Sequence, residues 1–149
     1  MKLEHNPNIR IARKSDAVPL AHLSGGLGYP TTIQEIENRL NNLFSLSDNA
    51  IYIAEIDFVV GWIHVAVRQT LESNAYVEIC GFVIAEKYRN SGIGSLLAAK
   101  AEDWAREKGY SRVRVRTNIL RKEARSFYKK LGYHTSKTQE VFEKIISAA

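Results

Sequence analysis

Arg89-Asn90-Ser91-Gly92-Ile93-Gly94 is a hexapeptide between an apolar run at residues 81–84 and a helical pattern that starts near Ser95. Two glycines one residue apart allow the backbone to turn so that successive amide N–H groups point into one concavity. The following helix adds its positive N-terminal end, and Arg89 adds a formal positive charge. The hexapeptide therefore predicts a pyrophosphate-binding loop, with an ordinary strand-to-helix turn as the alternative.

The commoner phosphate-binding loops do not fit this stretch. It lacks the Gly-Lys-Ser/Thr ending of the P-loop nucleoside triphosphatases. A dinucleotide-binding fingerprint needs a third glycine three residues after Gly94, where Leu97 stands. The remaining pattern is Arg-x-x-Gly-x-Gly between a strand and a helix.

Length and composition favour one soluble domain. The 149 residues are enough to bury roughly two thirds of the unfolded surface, so we predict a single domain over residues 1–149. Apolar runs stay well short of the ~18 residues that span a bilayer, so no membrane segment is predicted. One cysteine, Cys80, cannot form an internal disulfide, and residues 1–7 lack the apolar core of a signal peptide. These features predict a cytoplasmic protein, and no metal site is predicted.

Charge is distributed unevenly along the chain. Residues 1–84 carry 6 Lys/Arg and 9 Asp/Glu, whereas residues 85–149 carry 15 and 7. The basic residues are mixed with acidic ones and not gathered into a run with interleaved aromatic residues, which disfavours a nucleic-acid partner. A small polyanionic ligand explains the bias equally well.

Hydrophobic periodicity predicts a mixed chain with the order β-α-α-β-β-β-α-β-α-β-β. Glycine-rich residues 25–30 end the first helix, and Thr32-Ile33-Gln34-Glu35 forms a capping box that opens the second. The third helix follows the hexapeptide, and the fourth covers residues 122–131. The predicted strands cover residues 8–13, 51–56, 59–67, 75–84 and 112–116, with closing strands at 133–137 and 141–146.

The hexapeptide in this context resembles the acyl-CoA-binding signature of the GNAT superfamily of N-acyltransferases. A second stretch strengthens the resemblance, because Asn118, Ala124, Tyr128 and Gly132-Tyr133 are similar to the pattern of the family's C-terminal half. The order of elements also resembles that fold over nearly the entire chain. The resemblance implies an α/β (α+β) fold with a mostly antiparallel sheet of six to seven strands, about four helices, and strands 4 and 5 splayed apart.

The resemblance also implies where acetyl-CoA binds. In the family the cofactor inserts between the splayed strands like an extra strand, and strand 4 pairs with its pantetheine arm. Arg121 stands where the family often has a second asparagine, so its contact with the cofactor stays open. The implied cofactor-binding residues are Phe82, Val83, Ile84, Arg89, Asn90, Ser91, Gly92, Ile93, Gly94, Ser95, Asn118 and Tyr128.

The implied reaction needs two proton transfers. Presenting an amine of pKa ~10.4 in neutral form at pH 7 costs about 4.6 kcal/mol, so a general base is useful. Glu78, four residues before Phe82, matches the position of the family's carboxylate base, with an exposed or salt-bridged strand carboxylate as the alternative and His64 as the substitute base. Tyr128 matches the residue that protonates the leaving thiolate. Direct transfer is simpler than acylation of Cys80, which would need its own base.

The acceptor site is implied to lie against the first two helices and the neighbouring strands. Its candidates are Tyr29, Trp62, His64 and Glu78, with Tyr52 and Arg68 nearby. These residues suggest an aromatic wall and a carboxylate for a primary amine of a small molecule, which is aminoglycoside-, polyamine- or amino-acid-like. A protein or peptide acceptor and a non-catalytic acyl-CoA sensor stay open as alternatives, and the family frequently forms homodimers.

Overall fold

The computed structural model describes residues 6–25 and 31–147. The chain forms two compact units, residues 1–116 and 117–149. In the described part of the chain, five strands and four helices confirm the mixed fold class. The strands are β1 Asn8–Ile11, β2 Asn49–Ile56, β3 Phe58–Thr70, β4 Ser73–Ile84 and β5 Val113–Val115, and the helices are α1 Ala17–Gly25, α2 Ile33–Phe44, α3 Ile93–Glu107 and α4 Lys122–Lys130.

All five strands form one sheet in the order β1-β2-β3-β4-β5. The first three pairings are antiparallel, and β4 pairs with β5 in parallel. A tight turn joins β2 to β3, and Asp57 adopts a φ of 61° there. The sheet is therefore mostly antiparallel, as expected, with α3 as the crossover between its two parallel strands.

Helices cover both faces of the sheet in residues 1–116. On one face, Leu20 of α1 and Leu40 of α2 pack in a core cluster with Ile51 and Ile53 of β2. On the other face, α3 contacts β2, β3 and β4, and its Leu97 is fully buried. The predicted capping box of α2 is confirmed, because the Thr32 hydroxyl accepts the backbone N–H of Glu35 at 3.1 Å.

β4 and β5 stay together over a short distance only. Their pairing joins Val77, Glu78 and Ile79 to residues 113–115 and ends there among the described residues. Along the other edge of β4, Ile79 faces Val65 of β3 and Gly81 faces His64. Cys80, which lies between Ile79 and Gly81, is therefore the extra residue of a β-bulge. A bulge bends its strand and increases the local twist, so this bulge bends β4 at the point where its pairing with β5 ends.

The unit of residues 117–149 contains one helix, α4. Gly132, with a φ of 94°, ends the helix, and the backbone N–H of Tyr133 bonds the Tyr128 carbonyl at 3.0 Å. The prediction of closing strands at 133–137 and 141–146 is wrong, because residues 133–147 form neither helix nor strand. Alternating apolar residues give a period of two, but a strand also requires a backbone partner, which periodicity does not supply.

The prediction of one domain over residues 1–149 stays a prediction. No helix among the described residues combines the length and apolar character needed to cross a membrane.

Candidate active site

The predicted phosphate loop joins β4 to α3. Asn90 has a φ of 62° and Gly92 a φ of 90°, so two left-handed residues lie within three positions. Left-handed residues allow a loop to form an anion-binding nest, and asparagine and glycine tolerate this conformation best. Gly92 is the N-cap of α3, a helix of 15 residues, so the N–H groups of its first turn lie at the end of the loop.

Side chains of the loop are anchored to its own backbone. The Nε of Arg89 donates to the Ile84 carbonyl at 3.3 Å, and the Ser91 hydroxyl donates to the Tyr88 carbonyl. Ile93, the first residue of α3, is fully buried and belongs to the core. The exposed Arg89 guanidinium keeps the formal positive charge beside the α3 N-terminus.

The last residues of β4 lie beyond the end of its pairing with β5. Phe82, Val83 and Ile84 face Ile63, Trp62 and Gly61 of β3. The short β4–β5 pairing, the left-handed loop and the helix N-terminus together fit an extended ligand that ends in a pyrophosphate. The binding of acetyl-CoA by residues 82–84 and 89–95 stays a prediction.

A cavity of about 180 Å³ lies between the first two helices and the sheet. Trp62 and His64 form part of its wall, as expected for acceptor-binding residues. Nε1 of Trp62 and Nε2 of His64 are buried without a hydrogen-bond partner among the described residues. The lining residues are Leu20, Ser24, Ile36, Arg39, Leu40, Leu43, Ile51, Trp62 and His64.

Trp62 requires a glycine on the neighbouring strand. A Cβ at Gly81 would lie 2.7 Å from Cη2 and Cζ3 of the indole, which is inside van der Waals contact. Tyr52, in contrast, lies on the opposite face of the sheet, where Lys100 of α3 is 5.4 Å from its ring centroid. The tyrosine is therefore not part of the cavity wall.

His64 is held in its neutral form. Burial lowers the pKa of His64, and the positive charge of Arg68 lowers it further. A neutral imidazole with an unpartnered nitrogen can accept a proton at neutral pH. The same effects weaken His64 as a proton acceptor, and its role as the substitute base stays a prediction.

Glu78 is buried between two arginines. The Nε of Arg68 donates to Glu78 Oε2 at 3.0 Å, and NH1 of Arg116 donates to Oε1. The salt-bridged alternative for Glu78 is therefore what the structure contains, while its role as a base stays a prediction. Arg116 was not expected here, and its only sequence signal is the alternation of residues 112–116, which places three arginines on one side of β5.

Cys80 lies beside this carboxylate, 3.9 Å from Glu78 Oε2 and 3.7 Å from NH2 of Arg68. Partial burial raises the pKa of the Cys80 thiol, and the nearby Glu78 carboxylate acts in the same direction, against the lowering effect of Arg68. A protonated thiol is a poor nucleophile, so this setting favours direct transfer over acylation of Cys80.

Asn118 and Tyr128 lie in the unit of residues 117–149. Asn118 Oδ1 accepts the backbone N–H of Leu120 at 2.9 Å, and the Arg121 N–H bonds the Asn118 carbonyl at 3.0 Å. The Tyr128 ring packs against Phe127 and Tyr133. Burial raises the pKa of Tyr128 above the value of 10.0 of a free phenol, so the hydroxyl keeps its proton at neutral pH.

Two further predictions concern Tyr29 and metals. Tyr29 lies outside the described residues. Across residues 6–25 and 31–147, no group of three or more His, Cys, Asp or Glu side chains could hold a metal ion.

Comparison with known proteins supports the acyltransferase interpretation. The model of the acetyltransferase (GNAT) family matches residues 22–133. A search of curated protein sequences finds no match. Similar solved structures include AAC(6')-Iy in complex with the bisubstrate analogue CoA-S-monomethyl-acetylneamine, at 17% identity and a TM-score of 0.85, covering 95% of this chain and 100% of that one.

Two other solved structures share the fold. Glucosamine-6-phosphate N-acetyltransferase from Arabidopsis thaliana is 19% identical with a TM-score of 0.80, covering 93% of this chain and 99% of that one. A transcriptional regulator from Bacillus halodurans C-125 is 21% identical with a TM-score of 0.82, covering 93% and 99%. Because the family model spans three quarters of the sequence, the chain belongs to the acetyltransferase (GNAT) family, whose enzymes use acetyl-CoA as the acetyl donor.

Proposed function

We propose that this protein transfers an acetyl group from acetyl-CoA directly to the primary amine of a small molecule. The observation that carries the proposal is the cavity lined by Trp62 and His64, which lies on the same sheet face as Glu78. This face adjoins the level at which β4 diverges from β5, where the cofactor is expected. An apolar cavity with a few polar groups is the usual form of a small-molecule site.

The chain's own residues have distinct tasks in this reaction. Bound acetyl-CoA supplies the activated acetyl thioester. Backbone groups of residues 82–84 orient its pantetheine arm, residues 89–95 bind its pyrophosphate, and Asn118 contributes a further contact. The amine nitrogen then attacks the thioester carbonyl carbon, and the thiolate leaves.

The reaction needs two proton transfers, for which three side chains are candidates. The amine proton passes to the Glu78 carboxylate, with Nε2 of His64 as the alternative acceptor. The Tyr128 hydroxyl, which stays protonated at neutral pH, donates to the thiolate. Tyr29 is proposed to complete the acceptor site.

The acceptor is proposed to be aminoglycoside-, polyamine- or amino-acid-like. AAC(6')-Iy was solved with an acetylneamine conjugate, and the Arabidopsis enzyme is named for an amino-sugar phosphate, so one fold serves acceptors of different charge. A protein or peptide acceptor is an alternative. We also propose a cytoplasmic location, because the chain has a single cysteine. The family resemblance suggests in addition that the protein forms a homodimer.

A second candidate is a non-catalytic acyl-CoA sensor. One similar structure carries the name of a transcriptional regulator, which favours this alternative. Such a protein would bind acetyl-CoA without turning over an amine.

Thermal unfolding with and without acetyl-CoA tests the cofactor site first. A ligand at about 100 times its Kd stabilises the folded state by about 2.7 kcal/mol, which is a measurable shift. Arg89→Gln should reduce the shift, whereas Arg106→Gln, an exposed arginine of α3 paired with Asp103, should not. Absence of any shift in the wild-type protein would contradict the cofactor site.

A screen of primary amines with detection of released thiol tests the transfer. Thiol release that depends on an amine supports the enzyme. Stabilisation by acetyl-CoA with no thiol release from any amine class would instead support the sensor.

A further inference from the structure

A group of arginines gathers around Glu78 at the β3–β4–β5 end of the cavity face. Arg68 on β3 and Arg116 after β5 both bond its carboxylate. Arg114 lies opposite Glu78 in the β4–β5 register, and its guanidinium stacks 4.3 Å from the Tyr76 ring centroid. Within β3, β4 and β5, Glu78 is the single acidic residue that faces these cations.

The charged side chains of this group differ in how far they are exposed to solvent. The Glu78 side chain is 8% exposed, whereas those of Arg68 and Arg116 are 49% and 56% exposed. The carboxylate therefore lies beneath the two guanidiniums, which face outward. One carboxylate against two guanidiniums leaves one positive charge without a counter-ion in the cluster.

The guanidiniums also keep unused donors. Each arginine has five N–H groups. In the described residues, the contacts of this pair involve Nε and NH2 of Arg68 and NH1 of Arg116. Two fixed guanidiniums with remaining N–H groups match the two-oxygen geometry of a carboxylate or phosphate.

The position of the pair connects it to the acceptor. Alternation along β3 places Trp62, His64 and Arg68 on one face, and Glu78 lies opposite Ala66, two residues from His64 on that face. The cluster therefore adjoins the cavity wall and lies within the short β4–β5 pairing, just before that pairing ends. The pyrophosphate loop, in contrast, follows the far end of β4.

We propose that Arg68 and Arg116 bind an acid group, a carboxylate or phosphate, carried by the acceptor amine. Glu78 positions the two guanidiniums. This proposal rests on the proposed acetyltransferase function and narrows its acceptor to amines with an acid group. Polycationic amines are disfavoured, because they would meet the unbalanced positive charge of the cluster.

Matched amine pairs test the proposal. O-phosphoethanolamine is compared with ethanolamine, and 5-aminopentanoate with 1,5-diaminopentane, by thiol release from acetyl-CoA. Hydrogen bonds to a charged group predict a preference of about 10- to 100-fold in kcat/KM for the acidic member of each pair. The pair with the larger preference identifies phosphate or carboxylate as the better ligand.

Arg116→Gln should remove most of this preference, mainly through a higher KM of the acidic amine, whereas any effect through its contact with Glu78 should change the rates of both members alike. Arg106→Gln is the matched control, since it removes an exposed arginine of α3 and should retain the preference. Equal use of both members by the wild-type protein would overturn the proposal. Equal slowing of both members in Arg116→Gln would overturn it as well.

A binding measurement separates this proposal from the transfer reaction itself. Titration calorimetry in saturating coenzyme A compares O-phosphoethanolamine with ethanolamine. Tighter binding of the phosphate compound that is lost in Arg116→Gln supports the acid-group site even if no amine is acetylated, which would contradict only the enzyme. Equal binding of the two compounds overturns the acid-group site, whatever the turnover.

Discussion

Two clusters in residues 1–116 pair a buried carboxylate with arginine, but their charges are arranged in opposite ways. The Asp16 cluster consists of Arg10, Asp16, Glu55 and the Arg13 backbone. Arg10 donates to both Asp16 oxygens, at 2.9 and 2.8 Å, and to Glu55 at 3.2 Å. Asp16 also accepts the Arg13 N–H at 2.7 Å. One guanidinium here bonds two carboxylates, and the Arg10 side chain is 16% exposed.

The Glu78 cluster, which consists of Arg68, Glu78 and Arg116, has the reverse arrangement. One carboxylate pairs with two guanidiniums, and the side chains that carry them are about half exposed. The Asp16 cluster links β1 and β2 to the segment before α1, whereas the Glu78 cluster presents donors beside a cavity. The same residue types thus support the fold in one place and can bind a ligand in the other, depending on which charge is in excess and which is buried.

Asp16→Asn should have the largest effect on stability. Removing one partner of a buried ion pair typically costs about 3 kcal/mol of unfolding free energy, because the other charge stays buried. Urea unfolding measures the loss. Asp103→Asn, which breaks an ion pair with a 59% exposed carboxylate, should cost about 0.5 kcal/mol or less. Similar losses in both variants would show that the Asp16 cluster is not structural.

Glu78→Gln should lower turnover more than it lowers stability, in contrast to Asp16→Asn. We expect turnover to fall about 100-fold if the carboxylate takes the amine proton. The stability loss should be smaller than for Asp16→Asn, because half-exposed guanidiniums can be rehydrated. The pH–rate profile is the deciding measurement, since loss of the acidic limb indicates a base, whereas a higher KM with an unchanged profile indicates a positioning role. An unchanged rate together with an unchanged profile would contradict both roles.

Tyr128→Phe tests a group outside both clusters. Because a thiolate is a good leaving group, we expect a decrease in turnover of about 10-fold, at the low end of general acid catalysis. Thermal shift with acetyl-CoA should show that cofactor binding is retained. Tyr110→Phe, a tyrosine that follows α3, is the matched control and should leave turnover unchanged. Equal turnover in the two variants would remove Tyr128 from the mechanism.

The smallest expected effect is the pH dependence of stability that His64 causes. Its pKa is lowered from the usual 6.5, so the unfolded chain binds a proton more readily. His64 therefore contributes stability above pH 6.5, and this contribution is lost as the pH falls through the folded pKa. Urea unfolding at pH 7.5 and 5.5 should show a decrease that His64→Gln reduces. Asp16, whose pKa lies below 3.8, loses its contribution only under more acidic conditions.

Sequence motifs predicted the structure well where the residues that interact lie within a few positions of each other. The capping box at Thr32 and the helix stop at Gly132 are such cases. The closing strands failed because pairing depends on a distant partner. Arg116 was missed for the same reason, since its partner Glu78 lies 38 residues earlier.

The sequence by itself determined the order of elements as far as α4 and the membership of an acetyl-CoA-dependent family, because each of these depends on local motifs. Only the tertiary structure decided that Cys80 forms a bulge, that Gly81 makes room for Trp62, and that Arg68 and Arg116 meet on Glu78. These features depend on strand register, which brings together residues that are remote in sequence. The donor site is therefore predicted from local motifs, whereas the proposed charge preference for the acceptor rests on the way three strands align.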